Sequence, residues 1–329
     1  MPRDELDDRY ADDEFDPGFT DRPRRRPPGR RSNALAWVLG GLGCLTLLAC
    51  GGVCGGIWWA VRPTDFPEET QDYSVARKAF RTTLTTTGPA PQGHLQLELA
   101  ADAEAVEYTS GNLRLTAWAS KPAGGKQPAV LYLHSGYAFD EKDWEETEPL
   151  RKAGFQVLTP MLRGENGQPG NFTLFCDEVG DVLAAADVLA KRPGVDPDRL
   201  YVGGYSSGGT LALLAGLADG RFKGCAAISP ACDNAGFCRF ASPEEVPFDH
   251  LDPAEIAIRS PLAWPKSVKC PTRLYIGTDE LPAKLAADRF AAKARGHGKD
   301  VAVELLEGDH QEVVEPAVRR MVLFFQAVK

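Results

Sequence analysis

The residues best suited to chemistry are Gly204-Tyr205-Ser206-Ser207-Gly208, a serine with a glycine two positions to either side. An apolar stretch, Leu200-Tyr201-Val202, runs straight into it, and an apolar helical pattern, Ser207–Ala218, runs straight out. This context predicts a nucleophile elbow. A strained turn there lifts the serine hydroxyl above a sheet, and the glycines let strand and helix approach closely. Free amides at the start of the helix then face the negative charge that develops on an attacked carbonyl.

A serine at its ordinary pKa is a weak nucleophile, so a histidine base and an orienting carboxylate are required. In such strand-turn-helix sites the chain order is serine, acid, histidine. Three histidines follow Ser206. His250 lies in a proline-rich interruption, and His297 in a turn entering the last strand, at the wrong edge of a sheet. His310 follows the last strand (Val301–Leu306) and precedes the last helix, so it alone is placed to reach the serine. The acid is expected where strand Arg273–Gly277 runs out. Asp279 leaves that strand first, and Glu280 takes its place if the turn shifts by one residue. Asp309 reads as a solvated turn residue. One oxyanion donor is the Ser207 amide; the second is that of Gly136 or Tyr137, after strand Ala129–Leu133. His134, excluded as the base by chain order, reads as a hydrogen-bonding brace for that loop.

The elements that must position these groups are legible as a pattern. Leu95–Leu99 and Leu113–Ala119 alternate apolar with polar residues, as half-buried strands do. Ala129–Leu133, Phe155–Leu158 and Leu200–Val202 are unalternating runs suited to the centre of a parallel sheet covered on both faces, and further strands are read at Gly224–Ser229, Arg273–Gly277 and Val301–Leu306. Helical patterns at 144–153, 177–191, 207–218, 283–294 and 312–327 alternate with them. The expectation is an α/β fold, a doubly wound and mostly parallel sheet begun by an antiparallel hairpin, over residues 92–329. Residues 230–265 interrupt it as an insertion or cap.

Taken together, Tyr132–Tyr137 (YLHSGY), Met161–Gly167 (MLRGENG), Gly203–Gly209 (GGYSSGG), Ser260–Trp264 (SPLAW), Tyr275–Pro282 (YIGTDELP) and Gly308–His310 (GDH) resemble the α/β-hydrolase superfamily. The branch they are most similar to is the prolyl oligopeptidase catalytic domain with its dienelactone-hydrolase-like relatives. The resemblance covers about Gly111–Lys329 and implies Ser206, Asp279 and His310 as the triad. The chain departs from both relatives. Dienelactone hydrolases carry a cysteine nucleophile where this chain has Ser206. Prolyl oligopeptidases carry a β-propeller for which 329 residues leave no room.

Composition narrows the function further. The chain has 37 basic and 46 acidic residues, a net charge of −9, which argues against a nucleic-acid binder. Eight cysteines without a CxxC, and five histidines without HxH or HExxH spacing, offer no support for a metal site; no cofactor is expected. Cys232 and Cys238 could pair as a disulfide in the insertion, whereas Cys225 reads as a core residue. Residues 1–31 are charged and proline-rich, a disordered tail. The segment 32–61 holds Ala34–Val61, which carries no charge. At about 1.5 Å per residue that run is long enough to cross a hydrocarbon layer of about 30 Å. Arginines before it and Trp58-Trp59 at its far end predict a single-pass anchor with the N-terminus cytoplasmic and the catalytic domain outside. A lipoprotein cleavage before Cys50 is the alternative processing. Residues 62–91 read as a juxtamembrane stalk with one short helix through Tyr73, Ala76, Phe80 and Leu84.

The sequence therefore predicts a membrane-anchored serine hydrolase of small esters or short peptides. A catalytically inactive binding module of the same fold is the alternative. An apolar wall is expected from Tyr137, Phe237, Phe240, Phe248 and Trp264, and Arg163 as a salt-bridge residue of its own loop.

Overall fold

The computed structural model of the chain describes residues 62–92, 97–122 and 124–328. The tail and the charge-free run at 34–61 lie outside the described residues. Among those that are described, no helix is long and apolar enough to cross a membrane.

Eight strands form one sheet: β1 (Ala103–Ser110), β2 (Leu113–Ser120), β3 (Gln127–Leu133), β4 (Gln156–Pro160), β5 (Val195–Tyr205), β6 (Gly224–Ile228), β7 (Thr272–Gly277) and β8 (Val301–Leu306). Their spatial order is β1-β2-β4-β3-β5-β6-β7-β8. The first three are antiparallel neighbours and every later pair is parallel. The pleat sorts side chains between two layers. Ala129, Leu131 and Leu133 enter one apolar core, while Val130 and Tyr132 enter the other. Burial on both faces is why these strands read as unbroken apolar runs.

Nine helices are described: α1 (Tyr73–Ala79), α2 (Glu141–Glu146), α3 (Glu148–Lys152), α4 (Glu178–Lys191), α5 (Ser207–Ala218), α6 (Asn234–Cys238), α7 (Pro253–Arg259), α8 (Leu281–Gly296) and α9 (Val314–Ala327). Helices α4, α5 and α8 pack into the first core; α9 and Trp144 of α2 pack into the second. Helix α5 is apolar all round because it is covered on every side, down to Gly216 and Leu217.

Three expectations change. The hairpin is built from β1 and β2, joined at Gly111, whose φ of 59° suits the turn. Leu97 and Leu99 are not in a strand, and residues 93–96 are not described. The helix expected at 144–153 is two short ones, because Thr147 ends α2 and Pro149 begins a new first turn in α3. The helix of the stalk stops at Ala79, where Phe80 turns extended (φ −72°, ψ 145°); Leu84 instead bridges Phe248 as a short β contact.

That stalk segment lies on the domain as a strap. The Thr64 N–H donates to Asp233 Oδ2 (2.7 Å) and the Tyr73 N–H to Ser267 Oγ (2.9 Å). Tyr73 is fully buried against Trp264, with ring centroids 5.4 Å apart. Further along, the Thr83 N–H donates to Glu255 Oε1 (2.7 Å) and the Thr85 N–H to the Pro247 carbonyl (2.8 Å).

Candidate active site

The elbow takes its shape from steric necessity. Strand β5 ends at Tyr205 and α5 begins at Ser207, leaving Ser206 to reverse direction alone, at φ 56° and ψ −115°. A non-glycine residue with positive φ is strained and must be held by its surroundings. Here the Ser206 N–H donates to the Ile228 carbonyl (2.8 Å), and the Ser206 carbonyl accepts from the Thr210 N–H (3.0 Å). The flanking glycines make room. A Cβ at Gly204 would stand 2.6 Å from the Leu133 oxygen, and one at Gly208 would overlap the carbonyls of Leu133 and His134.

Ser206 Oγ lies 3.0 Å from His310 Nε2, and His310 Nδ1 lies 2.5 Å from Glu280 Oε1. The acid in contact with the histidine is thus Glu280, which corrects the expectation of Asp279. The reason is the turn after β7: the Glu280 N–H donates back to the Gly277 carbonyl (3.2 Å), so Asp279 sits at the apex and faces solvent. Glu280 returns over the sheet, and its longer side chain spans to the imidazole. Its other oxygen accepts from Ser229 Oγ (2.5 Å) and from the Gly277 N–H (2.8 Å). Burial would raise the pKa of Glu280, but the hydrogen bonds from His310, Ser229 and Gly277 outweigh it and hold the carboxyl below its ordinary value. The Tyr205 hydroxyl donates to the His310 carbonyl (2.9 Å), anchoring the backbone of the histidine loop. Asp309 caps that loop, accepting from the Gln311 and Glu312 N–H groups.

The loop after β3 faces the elbow. Ser207 Oγ donates to the Gly136 carbonyl (2.6 Å), tying the two together. The Tyr137 N–H points to the cavity, where Gln92 Oε1 accepts from it at 2.5 Å. Behind the loop, buried His134 is paired with Glu165 (Nε2 to Oε2, 2.9 Å), and its Nδ1 donates to the Ser135 carbonyl. Burial alone would lower the pKa of His134, but the Glu165 carboxylate reverses this and raises it to about 9. Asp143 accepts from the Ser135 N–H (3.2 Å), and Asn166 is bonded to both the N–H and the carbonyl of Phe139.

Ser206, Glu280 and His310 open on a cavity of about 460 Å³ whose walls include Tyr137, Phe175, Phe237 and Phe240. Two expected wall residues lie elsewhere. Trp264 packs on the strap, and Phe248 is stacked under the Arg259 guanidinium at 3.8 Å. Arg163 is held bidentately by Asp181 at 2.8 and 2.7 Å, as its salt-bridge reading requires. Cys232 and Cys238 are free thiols, not a disulfide; the short helix α6 winds between them and Cys232 is buried in the core. Sequence reasoning missed Gln92, Arg62 and Glu245 in the cavity lining, since no motif marks them. Among the described residues, no cluster of His, Cys, Asp or Glu is placed to hold a metal ion.

Residues 142–259 match the prolyl oligopeptidase family. Over 132 residues the chain is 30% identical to the uncharacterized peptidase YtmA of Bacillus subtilis (strain 168), covering 38% of this chain and 48% of that one. Over 118 residues it is 30% identical to acylamino-acid-releasing enzyme 1 of Oryza sativa subsp. japonica, covering 32% and 15%. The chain therefore spans less than half the length of these relatives. Among solved structures, a Mycobacterium tuberculosis puromycin-hydrolyzing peptidase superposes with a TM-score of 0.59 at 20% identity, over 69% of this chain and 39% of that one. A Pyrobaculum calidifontis esterase gives 0.54 at 18% identity, over 70% and 87%. At these identities the likeness is one of fold, and the fold is that of the α/β-hydrolases. The resemblance to the prolyl oligopeptidase branch carried by the sequence motifs is borne out.

Proposed function

We propose that this chain is a membrane-anchored serine hydrolase that cleaves small or medium carboxylic esters through an acyl-enzyme on Ser206. The observation that carries the reading is the continuous relay from Ser206 Oγ through His310 to Glu280, at 3.0 and 2.5 Å. In the first half-reaction His310 Nε2 takes the hydroxyl proton as Ser206 Oγ bonds to the substrate carbonyl carbon. Glu280 stays ionised, fixes the tautomer and stabilises the imidazolium, as the depressed carboxyl favours. The Ser207 and Tyr137 amides receive the oxyanion. Its collapse breaks the bond to the leaving group, which departs with the proton from His310. Water then adds to the acyl-enzyme by the same route, freeing the carboxylic acid and restoring Ser206.

An ester preference is supported by the aromatic wall of Tyr137, Phe237 and Phe240. Anchoring through Ala34–Val61, with the N-terminus inside and the catalytic domain outside, is supported by the flanking arginines and Trp58-Trp59.

The test is kcat/KM for an ester and an amide that share one acyl group, each divided by its uncatalysed hydrolysis rate. The ester is expected to show the larger enhancement, and Ser206→Ala to abolish both. A larger enhancement for the amide would replace the esterase reading with that of a peptidase.

A further inference from the structure

The last leg of the strap is fixed on both sides before it reaches the site. The Phe172 N–H donates to the Gly88 carbonyl and the Ala90 N–H to the Gly164 carbonyl, both at 2.9 Å, and Ala90 is buried. The Phe172 ring meets the Tyr137 ring edge-on at 5.0 Å, so strap, loop and oxyanion segment pack as one unit. Two residues beyond Ala90, Gln92 enters the cavity that holds Ser206 and Ser207. Its carboxamide oxygen accepts from the Tyr137 N–H at 2.5 Å and lies so close over Gly136 that a Cβ there would overlap it.

The group that Tyr137 holds is a carbonyl, the same chemical group an ester substrate would present to that amide. We propose that Gln92 is a tethered competitor, whose carboxamide occupies the oxyanion hole of the resting enzyme and must be displaced by the carbonyl of every substrate. This rests on the serine-hydrolase reading and adds a residue that governs substrate entry. The physical consequence follows from population arithmetic. A site open in only a fraction of molecules shows an apparent affinity reduced by that fraction, while the bound complex reacts at its own rate. The occupant therefore raises KM and leaves kcat unchanged. It acts equally on every ester that uses the hole. Because one hydrogen bond is exchanged for another, the factor is modest, about 2- to 10-fold.

The experiment measures kcat and KM for p-nitrophenyl butyrate, and the rate of fluorophosphonate labelling, on the full chain and its variants. Gln92→Ala removes the carboxamide; Gln92→Asn keeps its polarity but withdraws it by one methylene. Both are expected to lower KM by about 2- to 10-fold, to leave kcat within about 2-fold, and to speed labelling by the same factor as KM falls. Gln92→Glu, which offers the Tyr137 amide a charged acceptor, is expected to move KM and labelling the opposite way. Unchanged or raised KM in both Gln92→Ala and Gln92→Asn would overturn the proposal, with labelling at Ser206 still intact. A wild-type chain that neither labels nor hydrolyses would instead overturn the serine-hydrolase reading.

Discussion

At the elbow, Ser206 is positioned almost entirely by backbone: a carbonyl from β6, an amide from α5, and two glycines where no side chain fits. At the strap, Gln92 stands at the end of a surface segment tied upstream to side chains, among them Asp233, Ser267 and Glu255, and only in its last leg by backbone bonds at Gly88 and Ala90. Both reach the same cavity. The difference teaches that Ser206 is set by the sheet itself, whereas what stands in front of it is set by a separately tied element. Substitutions at the elbow should therefore damage chemistry and stability together, and those in the strap should affect access with little change in the chemical step.

The largest effect is expected at Gly208. Ala there forces its Cβ into the Leu133 and His134 carbonyls, so α5 must move off β3. Such overpacking costs typically about 1–3 kcal/mol, and more where backbone has to move, and hydrolysis should be lost with it. Gly220→Ala, where the nearest atom to a new Cβ is Lys269 Cδ at 3.9 Å, is the control and should be near neutral. Equal thermal stability in the two variants would contradict the steric account.

An intermediate effect is expected from pH through the brace behind the loop after β3. The pKa of His134 is raised to about 9 in the fold, against about 6.5 in an unfolded chain. The pair with Glu165 thus contributes fully below about pH 6.5, and its contribution is lost as pH rises through about 9, an amount on the order of 3 kcal/mol. Denaturant midpoints from pH 6 to 10 should fall over that window, and the fall should be absent in His134→Gln. A flat profile in the wild type would break this assignment.

The smallest effect is expected in the strap. Ser267→Ala removes the acceptor for the Tyr73 N–H and the donor to Glu69 Oε2 (2.7 Å). A loss of about 1–2 kcal/mol is expected, with kcat unchanged. A fall in kcat matching that at Gly208 would show that the strap and the elbow act as one unit.

The elbow, the order of the parallel core and His310 were legible in the sequence because each leaves a local mark. Apolar runs of strand length, a glycine on either side of a serine, and a histidine just after the last strand are all read without tertiary knowledge. The acid was harder. Asp279 and Glu280 are neighbours, and only the hydrogen bond closing the turn at Gly277 decides which one faces inward. Strand β1 leaves a weaker mark than the alternation at Leu95–Leu99, because its apolar face, with Val106 and Tyr108, is short and interleaved with two glutamates. Gln92 left no mark. A glutamine carries no pattern, and its role comes from the path of thirty residues laid across the insertion.

The most direct test of the central claim compares Glu280→Gln with Asp279→Asn on one ester substrate. The relay from Ser206 through His310 to Glu280 predicts that Glu280→Gln lowers kcat/KM by about 10²- to 10⁴-fold with little change in fold, and that Asp279→Asn stays within about 2-fold of wild type. A collapse in Asp279→Asn with Glu280→Gln nearly fully active would contradict it.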